Sequence, residues 1–142
     1  KSSAPAAYPP RCGGKPWTFR PLPGSPPQSA APEEVPGLVK ALAAEVQEAL
    51  LSESAEKNAL TIAAYLHAQL VDIHPFADGN GRTARLLMNY VLLKLNGAPC
   101  TISADDRLAY FGALDAFHQE GELVPFIDFC RIQTLKTWEQ LL

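Results

Sequence analysis

Gly79-Asn-Gly-Arg-Thr-Ala-Arg-Leu-Leu-Met-Asn-Tyr-Val-Leu-Leu-Lys-Leu95 opens on two glycines and two arginines and then turns apolar almost all round. Leu86, Leu87, Met88, Tyr90, Val91, Leu92, Leu93 and Leu95 contain no breaker, and the run stops at Asn96-Gly97, a usual C-terminal signal. The spacing predicts a helix from about Gly79 to Leu95. A helix without a polar face belongs in the middle of a bundle, so this one is expected to be central and buried.

Working outward, the neighbouring segments are helical too. Upstream, a helix is expected from about Ala55 to Ile73, ended by His74-Pro75, because proline disfavours the helical region for the residue before it. Further upstream, Val35, Leu38, Val39, Leu42, Ala43, Val46, Ala49 and Leu50 make one apolar stripe, with Pro32 opening the helix and Glu33 and Glu34 in its first turn. Downstream, Ser103-Ala-Asp-Asp106 reads as a capping box with Asp in place of Glu and opens a helix to about Gln119. Pro125 starts another, carrying Phe126, Phe129, Ile132, Leu135 and Trp138. The expected architecture is all-α, a bundle of about five helices, with any β-structure confined to residues 15–25.

Ten of the 13 prolines lie within residues 1–36, which excludes a long helix there. Residues 1–14 read as a mobile tail, Lys15–Arg20 as a strand-like piece and residues 21–31 as linker-like. The domain is placed at 15–142, with helices over about 33–141. Lys1 in place of an initiator Met points to a fragment or a processed chain.

The whole sequence has 142 residues, 47% of them apolar, which suits one globular domain. Twelve Lys+Arg against 15 Asp+Glu leave a net charge of −3, so no basic face for nucleic acid is expected. No apolar run reaches the ~18–20 residues that span a bilayer, and no membrane partner is expected. Cys12, Cys100 and Cys130 are too few and too scattered for a disulfide scaffold or a cysteine zinc site. A cytoplasmic location is the expectation, with a secreted effector or a compartment addressed by a further N-terminal segment as alternatives.

The chemistry-bearing residues cluster in His74-Pro-Phe-Ala-Asp-Gly-Asn-Gly-Arg-Thr-Ala-Arg85. A helix start offers unpaired N–H groups and the positive end of a dipole, a ready anion site. Gly79 and Gly81 let a ligand approach those amides, and Asn80 between them can donate or accept. Arg82 and Arg85 are three apart, on one face, and each can grip phosphate oxygens as a fork. Asp78 is a hard oxygen ligand suited to Mg²⁺ that bridges phosphates. His74 can serve as general base toward a hydroxyl. Phe76 reads as a buried plug. These parts point to phosphoryl or nucleotidyl transfer, without the spacing of a P-loop or of a zinc hydrolase.

This run resembles the signature of the Fic family, HPFx(D/E)GN(G/K)RxxR, at every defined position. Pro32–Pro36, Tyr110-Phe111 and Gly121–Phe126 are similar to further family landmarks. The resemblance implies a Fic-type helical fold and transfer of AMP from ATP to a Ser, Thr or Tyr hydroxyl of a target protein. It implies His74 as base, Asp78 as Mg²⁺ ligand, Gly79, Asn80 and Gly81 as anion hole, and Arg82 and Arg85 as triphosphate clamps. Gly81 favours AMP transfer over the reversed ATP binding of kinase-like relatives that carry Lys there. Tyr110 is a candidate for the adenine pocket. Trp17, Thr18 and Phe19 are candidates for a target-docking flap over residues 15–31. Alternatives are a silent nucleotide-binding module, or an enzyme that removes AMP or transfers another phosphate-containing group. The family's inhibitory motif, Ser/Thr-x-x-x-Glu-Gly/Asn, has only the incomplete match Ser52–Lys57, so an inhibitory helix is expected in trans or from a further N-terminal segment. His67 and His118 read as packed or surface histidines, and Cys100 and Cys130 as small buried residues.

Overall fold

The computed structural model describes residues 31–141. Five helices run in chain order: α1 (Val35–Leu50), α2 (Ala59–Ile73), α3 (Asn80–Lys94), α4 (Arg107–Glu120) and α5 (Val124–Leu141). Short 3₁₀ turns precede α1 (Pro32–Glu34) and α4 (Ala104–Asp106). The all-α expectation is met, and among the described residues there is no strand. The strand-like Lys15–Arg20 lies outside the described residues. No described helix is long and apolar enough to cross a membrane.

Local signals place most of the boundaries. The Ser103 hydroxyl accepts from the Asp105 N–H at 3.2 Å and caps the turn into α4. Gly121, at φ 73°, ends α4 in the left-handed conformation that glycine adopts freely. At the end of α3 the Gly97 N–H reaches back to the Leu92 carbonyl at 2.6 Å. The second helix begins four residues later than the spacing suggests, because residues 51–58 form a chain of turns.

The centre of the bundle is α2, not α3. Thirteen of the fifteen residues of α2 are buried, and α1, α3, α4 and α5 all pack on it. Ala59 and Ala63, and Ala64 and Ala68, make two stripes of small buried residues against which neighbours can approach closely. By contrast, α3 packs only along α2 among the helices. A helix pressed on one neighbour buries one stripe, here Ala84, Met88, Val91 and Leu92. Its opposite stripe, Leu86, Tyr90 and Leu93, is 71%, 57% and 60% exposed. Apolarity all round therefore misplaced the buried helix: tertiary contacts, not composition, decide which face is covered.

The buried polar residues of α2 mostly have partners inside. The Gln69 Nε2 donates to the Tyr65 hydroxyl at 3.1 Å, and the Tyr65 hydroxyl donates to Glu45 of α1 at 2.5 Å. Asp72 stands 3.9 Å from His118 of α4; burial raises the Asp72 carboxyl pKa and His118 opposes that rise. His67 is fully buried, its Nε2 2.9 Å from the Tyr110 hydroxyl, with the Phe126 ring centroid 5.1 Å away. Burial, helped by the nearby Arg85 charge, lowers the His67 pKa to about 3.

That depressed pKa has a sign that can be tested. Between pH ~6.5 and ~3 the unfolded chain binds a proton at His67 that the folded chain refuses. Stability is then fully present above pH ~6.5 and falls on acidification by roughly 1.4 kcal/mol per unit. Asp72, with its raised pKa, works in the opposite direction, so a comparison is needed. In urea unfolding from pH 6.5 to 4.5, His67→Gln is expected to lose about 2–3 kcal/mol less stability than the unsubstituted chain. Equal pH slopes for the two proteins would rule out a buried neutral His67.

Candidate active site

The loop between α2 and α3 is fixed at both ends by left-handed residues. His74 ends α2 at φ 55°, ψ 60°, its N–H donating to the Leu70 carbonyl at 3.0 Å. Such a conformation is uncommon for a residue with a side chain. It turns the chain out of α2 and leaves the His74 ring exposed. Gly79, at φ 83°, is the N-cap of α3. The first intrahelical bond runs from the Thr83 N–H to the Gly79 carbonyl at 2.9 Å. The N–H groups of Asn80, Gly81 and Arg82 therefore have no intrahelical acceptor, and they face outward at the positive end of the helix.

Asn80 braces this loop. Its Oδ1 accepts from the Phe76 N–H at 2.9 Å, and its Nδ2 donates to the Phe76 carbonyl at 2.8 Å. That pairing fixes which end of the amide is which. Nδ2 also lies 3.2–3.3 Å from the ring nitrogens of His74. One buried side chain thus ties the loop backbone to the imidazole. The expectation that Asn80 serves the anion hole divides accordingly: its side chain holds the loop, and only its backbone N–H is open to a ligand. Phe76 is half exposed rather than a plug, because Asn80 anchors its backbone inward and the ring turns out.

The two arginines lie over the two glycines. A Cβ built on Gly79 would sit 3.2 Å from Arg82 Nη2, and one on Gly81 would sit 3.3 Å from Arg85 Nη1. The neighbours are the free ends of flexible side chains that can shift by a few tenths of an ångström, so the arginines alone do not demand glycine; at Gly79 the positive φ does favour it. Asp78 Oδ2 is 3.8 Å from Arg82 Nη2, both side chains being largely exposed. Two guanidinium groups, three N–H groups without an intrahelical acceptor and a helix dipole against one carboxylate suit an anion. Among the described residues no group of three or more His, Cys, Asp or Glu could hold a metal ion. A lone Asp78 nonetheless suits Mg²⁺, which is usually held by one or two carboxylates together with substrate phosphates and waters.

Residues 24–92 match the family model described as the Fic/DOC family. The chain belongs to the Fic/DOC family. Curated relatives of the Fic chain include a protein adenylyltransferase Fic from Drosophila willistoni, 40% identical over 103 residues, or 72% of this chain and 20% of the relative. Another, from Nematostella vectensis, is 44% identical over 89 residues, covering 62% of this chain and 21% of the relative. The chain thus spans about a fifth of the length of these relatives. Among solved structures, a Fic-1 fragment from C. elegans superposes with a TM-score of 0.63 at 29% identity, covering 78% of this chain and 32% of that one. A Fic-domain-containing signalling protein from Bacteroides thetaiotaomicron gives 0.61 at 31% identity, covering 76% and 47%.

Within this Fic fold His74, Asp78, Gly79, Asn80, Gly81, Arg82 and Arg85 come together in one loop and helix start. Tyr110 goes elsewhere. It is 7% exposed, its ring set among Phe126 and Phe129 at 6.1 and 5.9 Å and its hydroxyl turned to His67. It offers no open face to an adenine, whereas the adjacent Phe111 is 47% exposed. Trp17, Thr18 and Phe19 lie outside the described residues. Glu56, the acid of the partial inhibitory match, accepts from Asn96 at 3.0 Å beyond the start of α2. The fifteen-residue α2 separates it from the site by about 22 Å. Sequence reading missed the bracing role of Asn80 and left open whether His67 is packed or at the surface; the structure buries it.

Proposed function

We propose that this Fic domain transfers AMP from ATP to a Ser, Thr or Tyr hydroxyl of a target protein. The observation that carries the reading is the placing of the His74 ring, braced by Asn80, beside an open helix N-terminus flanked by Arg82 and Arg85. In the proposed reaction His74 takes the proton of the target hydroxyl as its oxygen attacks the α-phosphorus of ATP. The new O–P bond forms as the bond to the β-phosphate oxygen breaks, and pyrophosphate leaves. The backbone N–H groups of Gly81 and Arg82 and the two guanidinium groups hold the phosphates and meet the developing charge. Asp78 would hold Mg²⁺ arriving with ATP, which supplies neutralisation of phosphate charge.

The test uses ATP labelled at either end. Label at the α-phosphate should appear covalently on the chain itself or on a protein from a lysate, and label at the γ-phosphate should not. A folded protein that incorporates no α-label would end this reading. We further propose that the isolated chain is active without release from inhibition. Among the described residues no carboxylate forms a salt bridge with Arg85. A glutamate that pairs with Arg85 would come from a partner or another segment.

Asp78→Ala is expected to weaken ATP binding in Mg²⁺ about tenfold, the loss of one charged contact worth about 1.4 kcal/mol. Binding measured in EDTA should hardly change. Equal losses in both conditions would count against Asp78 as the metal ligand.

A further inference from the structure

We propose that Asp72 and His118 are positioning residues: they form a buried clamp that fixes the last turn of α2, and with it the His74 ring, against the end of α4. This rests on the reading of His74 as the base, and it gives a role to two buried titratable residues that the loop chemistry does not use. His118 Nε2 stands 3.9 Å from Asp72 Oδ1 and 3.4 Å from the Ala68 carbonyl oxygen. The Asp72 and His118 side chains are only 11% and 6% exposed. Ala68 and Asp72 are four apart, one above the other on the same face of α2, and one imidazole spans them. His74 follows Asp72 by two residues, and its N–H bonds to the Leu70 carbonyl within that last turn.

Donor counting fixes the ring. A carbonyl oxygen only accepts, so Nε2 carries a proton whether His118 is neutral or charged. Neither helix alone explains Asp72. A carboxylate in the last turn of a helix meets the negative end of the dipole, and burial raises its pKa further. His118 opposes that rise from the last turn of α4, where a basic side chain suits the dipole. The carboxylate misplaced on one helix is thus matched by the residue well placed on the other. Deeper in the bundle, His67 and Tyr110 already join α2 to α4. Ile73, fully buried, anchors the last turn of α2 on a second side, about 100° round the helix from Asp72. The turn that ends in His74 is therefore held from two directions.

Hydrogen exchange of the whole chain, without nucleotide, separates positioning from stability. Amides at a helix end open locally, so a loss of global stability alone leaves their exchange unchanged. His118→Leu leaves Asp72 buried and unmatched, and the amides of Ile73 and His74 are expected to exchange about tenfold faster or more. In the same variant AMP transfer per folded molecule should fall about tenfold, from a base held less firmly. His118→Gln, which retains an N–H donor for Ala68 and Asp72, should keep both exchange and transfer within about threefold. Unchanged exchange at Ile73 and His74 in the leucine variant, or a glutamine variant as impaired as leucine, would overturn the proposal. Should His118→Leu not fold, Asp72→Asn removes the matched charge at constant shape and is expected to speed the same two amides about threefold or more; no change there would overturn the proposal as well. Nitrogen-15 spectra of the unsubstituted chain at about pH 9, above the ordinary histidine range, should show neutral His118 with its proton on Nε2, and a proton on Nδ1 would count against the clamp. If the exchange rates respond as expected while no chain transfers AMP, the transfer reading fails and the hold of Asp72 and His118 on His74 stands.

Discussion

Replacing His74 by alanine is expected to lower AMP transfer by about 10²- to 10⁴-fold, the usual contribution of a positioned general base. The ATP dissociation constant should stay within about twofold. The reason is geometric. The ring is exposed beyond the end of α2; among the described residues its side-chain hydrogen-bond partner is the Asn80 amide. Removing it leaves the open N–H groups and both arginines in place, so ground-state binding survives and proton removal is lost. His74→Asn is the companion variant, since asparagine tolerates the left-handed backbone at this position. It should fail in transfer as alanine does. Transfer at an undiminished rate by either variant would remove His74 from the role of base.

Asn80→Ala is expected to cost about a hundredfold in transfer, the scale of an ångström of misplacement, though Asn80 need not touch the reacting atoms through its side chain. Its amide makes both bonds to the Phe76 backbone and the contact to His74. Without it, the loop loses the link between helix start and base. Asn80→Asp retains the acceptor for the Phe76 N–H but not the donor toward the Phe76 carbonyl and His74. It should therefore fall nearly as far as alanine. ATP affinity should drop much less than the rate in both. Parallel losses of rate and affinity would show that Asn80 serves binding rather than the placing of His74.

The loop was legible because its chemistry is written locally. A histidine before proline, glycines at a helix start and two arginines three apart can be placed without knowing the rest of the fold, and the helices around them follow from apolar spacing. What could not be read is which helix lies inside. Leu86, Tyr90 and Leu93 carry the same apolar character as Met88 and Val91, and only the position of α2 separates the buried set from the open one. Conversely, Thr61, His67, Gln69 and Asp72 are polar residues that local spacing gives no reason to bury, yet α2 encloses them, His67 and Asp72 with partners on α4 and Gln69 on Tyr65 of α2 itself. Tyr110 was assigned to a pocket for a similar reason: its partner His67 lies 43 residues away, and such pairings leave no trace in local spacing.

The most enclosed helix of the protein ends directly at the residue proposed as the base. Opening the middle of α2 would expose the packing surfaces of four other helices at once, so its amides should exchange with solvent only through global unfolding. The loop amides beyond His74 are under no such constraint. A steep gradient of exchange rates, from among the slowest to the fastest in the domain, is thus compressed into a few residues. The imidazole is moored to the slow side and faces the fast side, so in the proposed reaction a target hydroxyl would approach it while the geometry beneath it stays fixed.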